Sequence, residues 1–306
     1  MLNIIDKRFR LFAISGVVIL IGIISLVTFG LKYGIEFSSG SMMTVSFEQE
    51  VDQGDLKQEL ASLGYANAIV QHTGAGDFFI RTHELTGEDK TALEDALAAK
   101  FGHLTETEFY SVSPMVAAET WHNALWAVLA AAGGILLYIT WAFHRMPKPF
   151  HYGTCAIIAL IHDTLVSLGV FSILGGILNW QINLMFITGI LAVIGYSVNN
   201  TVVVFDRIRE NLTLGVSPDF EVTVNNSLVE TLSRSLNTSL TTLLVVLALL
   251  LFVGASIQNF AVVLLIGIIA GTFSSIGIAP SLLVVWEKGE WGRFVRWLPL
   301  PAVKGR

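Results

Sequence analysis

The sequence predicts an α-helical polytopic membrane protein of six transmembrane helices, with a small α+β, ferredoxin-like domain inserted between the first and second. Three observations carry this: six long apolar stretches, a charge balance that changes sign along the chain, and a β-α-β-β-α-β alternation in one segment. Hydrophobic residues are 53% of the 306 and charged residues only 14%, against about 25% charged in ordinary globular proteins. That composition excludes disorder and a purely cytosolic enzyme. The single cysteine, Cys155, excludes a disulfide framework and a multi-cysteine metal site. Residues 32–121 hold 15 Asp+Glu and 5 Lys+Arg, leaving 9 acids and 13 bases elsewhere. An acidic block joined to an apolar, basic remainder is the pattern of a membrane protein with one external domain.

A helix needs about 20 mostly apolar residues to cross a bilayer. Residues 11–31, 123–143, 152–174, 182–205, 235–257 and 260–286 meet that test. The first is too long for a signal peptide and no A-x-A site follows it, so it reads as a retained span. Lys7, Arg8, Arg10, Arg145, Lys148, Arg207, Arg209, Lys288, Arg293, Arg296, Lys304 and Arg306 fall in the terminal segments and in the loops on one side. Residues 175–181 and the turn at Gln258 carry no base. The positive-inside rule then places both termini in the cytoplasm and residues 32–121 outside. The expected division is residues 1–31 (N-terminus and first span), 32–121 (external domain), 122–286 (five spans) and 287–306 (cytoplasmic tail).

Within the external segment, residues 43–48 alternate with period two and read as a strand. Residues 52–63 place Leu56, Leu60 and Leu63 on one helical face. Residues 66–71 and 77–82 flank the turn Thr73-Gly74-Ala75-Gly76 as a hairpin. Residues 86–101 form a second helix with Leu93, Leu97 and Phe101 inward, and residues 106–112 the last strand. The order is the split βαβ arrangement. Its histidines, His72, His83 and His103, are scattered as surface residues are, and the segment reads as a binding or moving part hinged at residues 32–40 and at Ser113-Pro114.

Asp163 is the acid inside a span, preceded by His162. An ionisable residue there costs about 3 kcal/mol on insertion scales and is a functional candidate; a helix-packing hydrogen bond is the alternative. Span four ends in Ser197, Asn199, Asn200 and Thr201, then Asp206, Arg207, Arg209, Glu210 and Asn211. Adjacent amides cannot both face lipid cheaply, so one should point into the bundle, while the charged run suits the membrane–water interface. Arg234 precedes span five and either snorkels or acts within the membrane. Gly267-Ile268-Ile269-Ala270-Gly271 is a GxxxG packing face.

These residues carry a resemblance. The run from Gly195 to Asn211 (G-Y-S-V-N-N-T-V-V-V-F-D-R-I-R-E-N) is similar to the G-Y-S-x-N-D-[TS]-x-V-V-x-D-R-I-R-E-N signature of the SecF family, within the SecD/SecF group and the RND superfamily. His162-Asp163 matches its H-D pair and Thr231-Leu232-Ser233-Arg234-Ser235 its T-L-x-R-[TS] stretch. Gly34-Ile35-Glu36-Phe37-Ser38-Ser39-Gly40 is a weaker form of G-[IL]-D-F-x-G-G.

The resemblance implies a non-enzymatic subunit that pairs with SecD, six spans from each, beside the SecYEG channel with YajC and YidC. It implies promotion of late polypeptide translocation across the bacterial inner membrane by the proton motive force, in contact with lipid, with no cofactor, metal or nucleic acid. It places the proton path at Asn200 and Arg234, with Asp163 nearby. Gly195, Tyr196, Ser197, Asn199, Asp206, Arg207, Arg209, Glu210, Gly34, Glu36 and Gly40 become structural or interface residues. The family pattern has Asp where this chain has Asn200, and an amide does not exchange a proton near neutral pH. Two readings follow: Asn200 replaces an original Asp, or this chain relays protons through Asp163 or through SecD. A half-unit of an RND-type transporter for a small molecule or lipid is the competing function.

Overall fold

The computed structural model describes residues 2–72, 76–252 and 255–292. The chain forms two compact units, Tyr33–Trp126 on the one hand and Met1–Lys32 with Ala127–Arg306 on the other.

In the smaller unit β1 (Gly40–Phe47), β2 (Ile69–His72), β3 (Phe78–Thr82) and β4 (Leu104–Val112) make one antiparallel sheet in the order β2-β3-β1-β4. This is the ferredoxin-like arrangement. Helices α3 (Gln53–Ser62) and α4 (Gly87–Phe101) supply the second layer. Asp52 caps α3, its carboxylate accepting from the amides of Gly54 (2.7 Å) and Asp55 (3.3 Å). Thr86 and Asp89 form a reciprocal capping box on α4. Met43, Val45, Leu56, Leu60, Phe78, Ile80, Leu93 and Leu97 make the core, with Phe101 packed against it. Leu63 is exposed rather than inward, because α3 ends one residue before it. Strand β2 starts at Ile69 rather than residue 66, since the Tyr65 and Ala68 amides close turns onto Leu60 and Tyr65. Thr73, Gly74 and Ala75 of the expected hairpin turn lie outside the described residues.

In the larger unit α1 (Arg8–Thr28), α5 (Pro114–Ala142), α6 (Pro149–Leu178), α7 (Leu184–Leu214), α8 (Phe220–Phe252) and α9 (Ala255–Gly277) with α10 (Ala279–Lys288) provide six helices long and apolar enough to cross a membrane. Two are much longer than the sequence suggests. Helix α7 runs past Phe205 because Asp206 pairs with Arg209 (2.5 Å) and Arg207 with Glu210 (2.6 Å), one turn apart, until Gly215 ends it at φ +66. The Arg207 and Arg209 read as loop residues are therefore helical. Helix α8 begins at Phe220, not Ser235, with Asp219 accepting from the Glu221 amide and Val224, Leu228 and Thr231 buried. Arg234 thus lies near the middle of a 33-residue helix rather than at its start. Gln258 lies within α9, not at a turn. The last span breaks between α9 and α10, where Pro280 lacks the amide that would continue the helix. Arg293, Arg296, Lys304 and Arg306 lie outside the described residues.

A core of Ile139, Phe143, Tyr152, Cys155, Phe205, Ile208, Val224 and Leu283 joins α5, α6, α7, α8 and α10 near one end of the bundle. At that end Arg8, buried, donates to Glu221 (2.8 Å) and Glu290 (2.7 Å), tying α1 to the start of α8 and the end of the last span. Along the middle, α7 and α9 run side by side in the same direction. Three glycines of the pair each face a side chain of the other helix: Gly189 meets Val263, Gly267 meets Val193, and Gly271 meets Ser197. The GxxxG of the last span is this seam.

Candidate functional site

The α7–α9 seam delivers Ser197 to the middle of the bundle, and a buried polar layer is assembled around it. Asp163 on α6 is 1% exposed. Its Oδ2 accepts from the hydroxyls of Ser197 on α7 (2.5 Å) and Ser274 on α9 (2.8 Å). Its Oδ1 lies 2.9 Å from Nδ1 of His162, itself buried and stacked on Phe273. One carboxyl therefore holds three helices together.

One turn further along α7, Asn200 is 2% exposed and its amide donates to Oγ of Ser239 on α8 (3.3 Å). The same Ser239 oxygen receives the Tyr196 hydroxyl (3.2 Å) and sits 2.6 Å from Thr272 on α9. Thr272 also reaches the Ile268 carbonyl (2.6 Å). Its single proton serves that carbonyl, so Ser239 is the donor between the two hydroxyls. The Asn200 centre joins α7, α8 and α9, and the Asp163 centre joins α6, α7 and α9.

Of the residues the sequence singles out, the structure brings together His162, Asp163 and Ser197, and separately Tyr196 and Asn200. It does not bring Arg234 to Asn200. Arg234 is exposed and makes no hydrogen bond or ion pair among the described residues. Gly195 and Asn199 are also exposed, and a Cβ on Gly195 would meet nothing within 4 Å. At the far end of α7, Arg207 pairs with Glu230 of α8 (2.6 Å) and Asn211 donates to Ser227 (3.0 Å) and Glu230 (2.9 Å), locking the two helices. Asp206, Arg209 and Glu210 complete the pairs along α7.

In the smaller unit Gly34 caps the single turn α2 (Ile35–Ser38), with Ile35 and Phe37 buried and Phe37 against Trp121. Arg81 donates to the Tyr33 carbonyl (2.7 Å) and to the Ser38 hydroxyl. Burial holds the Arg81 pKa below its ordinary value, and Glu36 works the other way. Gly40 has φ +120, and a Cβ there would lie 2.5 Å from the Thr82 carbonyl oxygen; only glycine fits. Ser39, at φ +60 and ψ 170, occupies a region that favours glycine strongly. These are structural corner residues.

Ser239, Thr272 and Ser274 are members of the polar layer that the sequence reading passes over. The available signal was three hydroxyls within four positions, Thr272, Ser274 and Ser275, in an otherwise apolar span.

Fold and layer together define a multi-pass membrane protein whose six spans enclose buried ionisable and amide centres, with a small α/β domain between the first two spans. The family description "Protein export membrane protein SecD/SecF, C-terminal" matches residues 92–289, and "SecD/SecF GG Motif" matches residues 24–51. Proteins named protein translocase subunit SecF from Thermobaculum terrenum and Anaerolinea thermophila are each 41% identical. The first covers 97% of this chain and 97% of its own length, the second 95% and 96%. A crystal structure of SecDF, described as a translocon-associated membrane protein, from Thermus thermophilus is 31% identical with a TM-score of 0.83. The match covers 94% of this chain and 39% of that longer one. The chain belongs to the SecD/SecF family of protein export membrane proteins.

Proposed function

We propose that this chain acts as the SecF-type subunit of the Sec protein-export machinery, promoting late polypeptide translocation at the expense of the proton gradient. SecD is its membrane partner, SecYEG the channel, and YajC and YidC further neighbours; the translocating polypeptide and membrane lipid complete its contacts. The inner membrane holds it, both termini are cytoplasmic, and Tyr33–Trp126 is the external domain. One observation supports the partnership: Arg234 is exposed near the middle of α8, with Asn237, Thr238 and Thr241 exposed around it. An arginine at a helix centre costs about 3 kcal/mol against lipid on insertion scales, so this face calls for a protein partner. The transporter alternative has no observation in its favour.

The proton path of this reading runs by Asn200 and Arg234. Asn200 donates to Ser239 as a protonated Asp would, so the amide holds that centre in the geometry of the neutral acid. The test is export in vesicles with and without a proton gradient, comparing this chain, Asn200→Asp and Arg234→Ala. Gradient dependence should increase in Asn200→Asp and be lost when Arg234→Ala is added. Equal dependence in all three would remove both residues from the mechanism.

A further inference from the structure

Away from both polar centres, the turn from α5 into α6, the last turn of α7, the start of α8 and α10 enclose a cavity of about 370 Å³, within the range of small-ligand sites. Phe220 and Leu283 give it an apolar wall, while Arg145, His151, Tyr152 and Glu287 bring polar groups to it. We propose that this cavity binds one phosphate-type oxyanion between Arg145 and Tyr152, either the phosphodiester of an anionic membrane lipid or a soluble phosphate group. The proposal does not depend on proton coupling or on export.

Tyr152 carries the argument. It is 3% exposed, and its ring is stacked on Phe143 (centroids 5.1 Å apart, planes 2° apart) and perpendicular to Phe205 (5.4 Å). Those two contacts hold the ring at the cavity wall. Its hydroxyl makes no hydrogen bond among the described residues. A buried tyrosine hydroxyl ordinarily finds a partner, and leaving one without a partner costs free energy. With no side chain or carbonyl of the described residues taking this proton, the partner has to come from whatever fills the cavity.

The other open groups define that partner. Arg145 is exposed and makes no ion pair or hydrogen bond among the described residues. A guanidinium only donates, a phenol readily donates, and the arginine fork matches two oxygens of a phosphate. Glu287, the one acid in the lining, would repel an anion, yet both its oxygens accept from the Lys148 ammonium at 3.2 Å. Arg145, Lys148 and Glu287 together therefore leave one net positive charge. Helix α6 begins here, with Pro149 in its first turn and no side-chain cap from Lys148, and the positive end of a helix dipole adds to the preference for an anion. His151, stacked on Trp286 at 4.2 Å, supplies a further ring N–H at the lining. An apolar guest would leave the guanidinium and the phenol unpaired, and a cation would face Arg145.

The test is binding to the full chain in detergent, with dioleoylphosphatidylglycerol and dioleoylphosphatidylcholine followed by native mass spectrometry and inorganic phosphate by calorimetry. Tyr152→Phe should weaken the first bound phosphatidylglycerol about tenfold, as loss of a hydrogen bond to a charged group does, and Arg145→Gln by at least as much. Because the Tyr152 hydroxyl has no partner within the protein, Tyr152→Phe should leave the Tm of the ligand-free chain unchanged. Phosphatidylglycerol binding weakened by both substitutions assigns the site to lipid. Inorganic phosphate binding weakened by both, with lipid binding unaffected, assigns it to a soluble phosphate. Neither probe bound, binding indifferent to both substitutions, or phosphatidylcholine held as tightly through the same two residues would overturn the proposal. A lower Tm of ligand-free Tyr152→Phe would overturn it too, since the hydroxyl would then be structural.

Discussion

A methyl group added at Gly267 would lie 2.1 Å from Cγ2, 2.5 Å from Cγ1 and 2.8 Å from Cβ of Val193, where ordinary contact begins at 3.4 Å. Val193 cannot turn aside: a valine in a helix keeps one χ1 rotamer about nine times in ten, and all three of its side-chain carbons are already too close. Gly267→Ala should therefore force α7 and α9 apart. Overpacking of this kind costs about 1–3 kcal/mol. The consequence reaches the site, because the next turn of the seam sets Ser197 against Gly271 and so places Ser197 2.5 Å and Ser274 2.8 Å from Asp163. Those bonds do not survive a separation of an ångström. The assay is reversible unfolding of the full chain in detergent or bilayer, read as a double-mutant cycle with Val193→Ala. Val193→Ala removes two methyls from the clash and should recover most of the loss, a coupling of about 1–2 kcal/mol within the range for contacting pairs. A Gly267→Ala chain as stable as the parent, or a loss that Val193→Ala does not relieve, would refute the seam as the element that positions the layer.

Further outcomes follow from the smaller unit and the topology. Ser39→Gly should stabilise the domain by about 1 kcal/mol by relieving a conformation that only glycine adopts freely, measured by hydrogen exchange in β1. Asp52→Ala should cost about 1 kcal/mol through loss of the α3 cap, seen first as faster exchange at Gly54 and Asp55. Burial, reinforced by the neighbouring Glu106, raises the Glu94 pKa, while the bond from Glu94 and the Lys90 ammonium lower that of Glu106. Glu94 thus contributes stability below its unfolded pKa that is lost as pH rises through the raised value, and Glu106 contributes stability above its own that is lost as pH falls. Glu94→Gln should stabilise the domain at neutral pH with a benefit that disappears as pH falls below the ordinary carboxylate range, and a benefit independent of pH would refute this account. Single cysteines at Gly87 and Arg145, both exposed, should label from opposite sides of the membrane; Cys155 is fully buried and will not compete.

How much could be read before the structure depended on whether a residue's partner is local. Six spans and the βαββαβ order were legible because hydrophobic period and length are properties of a window. The GxxxG at Gly267 and Gly271 was legible as a packing face, since small residues four apart form one ridge, though not its partners Val193 and Ser197. Helix ends failed where charge replaced hydrophobicity: residues 206–214 and 220–234 look like loop by hydropathy, yet ion pairs one turn apart and the Arg207–Glu230 bridge make them helix. Ser239, Thr272 and Ser274 were illegible for a different reason. A hydroxyl in a helix can bond a carbonyl of its own preceding turn, as Thr272 does with Ile268, so its presence in a span says nothing of whether it reaches a neighbour. Arg8 finds Glu221 and Glu290 at separations of 213 and 282 residues, which no local pattern encodes.

The geometry of α8 bears on how Arg234 can act. Ser239, five residues on, points at Asn200. At about 100° per residue, five residues rotate the direction by roughly 140° beyond a full turn, so Arg234 faces largely away from the Asn200 centre. Its exposure agrees. An Arg234–acid pair inside this chain would require α8 to roll by more than a third of a turn, breaking the Ser239 contacts to Tyr196, Asn200 and Thr272 and the Glu230 bridge to Arg207. A carboxylate presented by SecD requires none of this. If SecD is the partner proposed above, the pairing partner of Arg234 is expected on it, and a charge reversal at Arg234 should be rescued by a basic substitution on that subunit. Rescue by a basic residue at position 200 of this chain instead would show that α8 rolls.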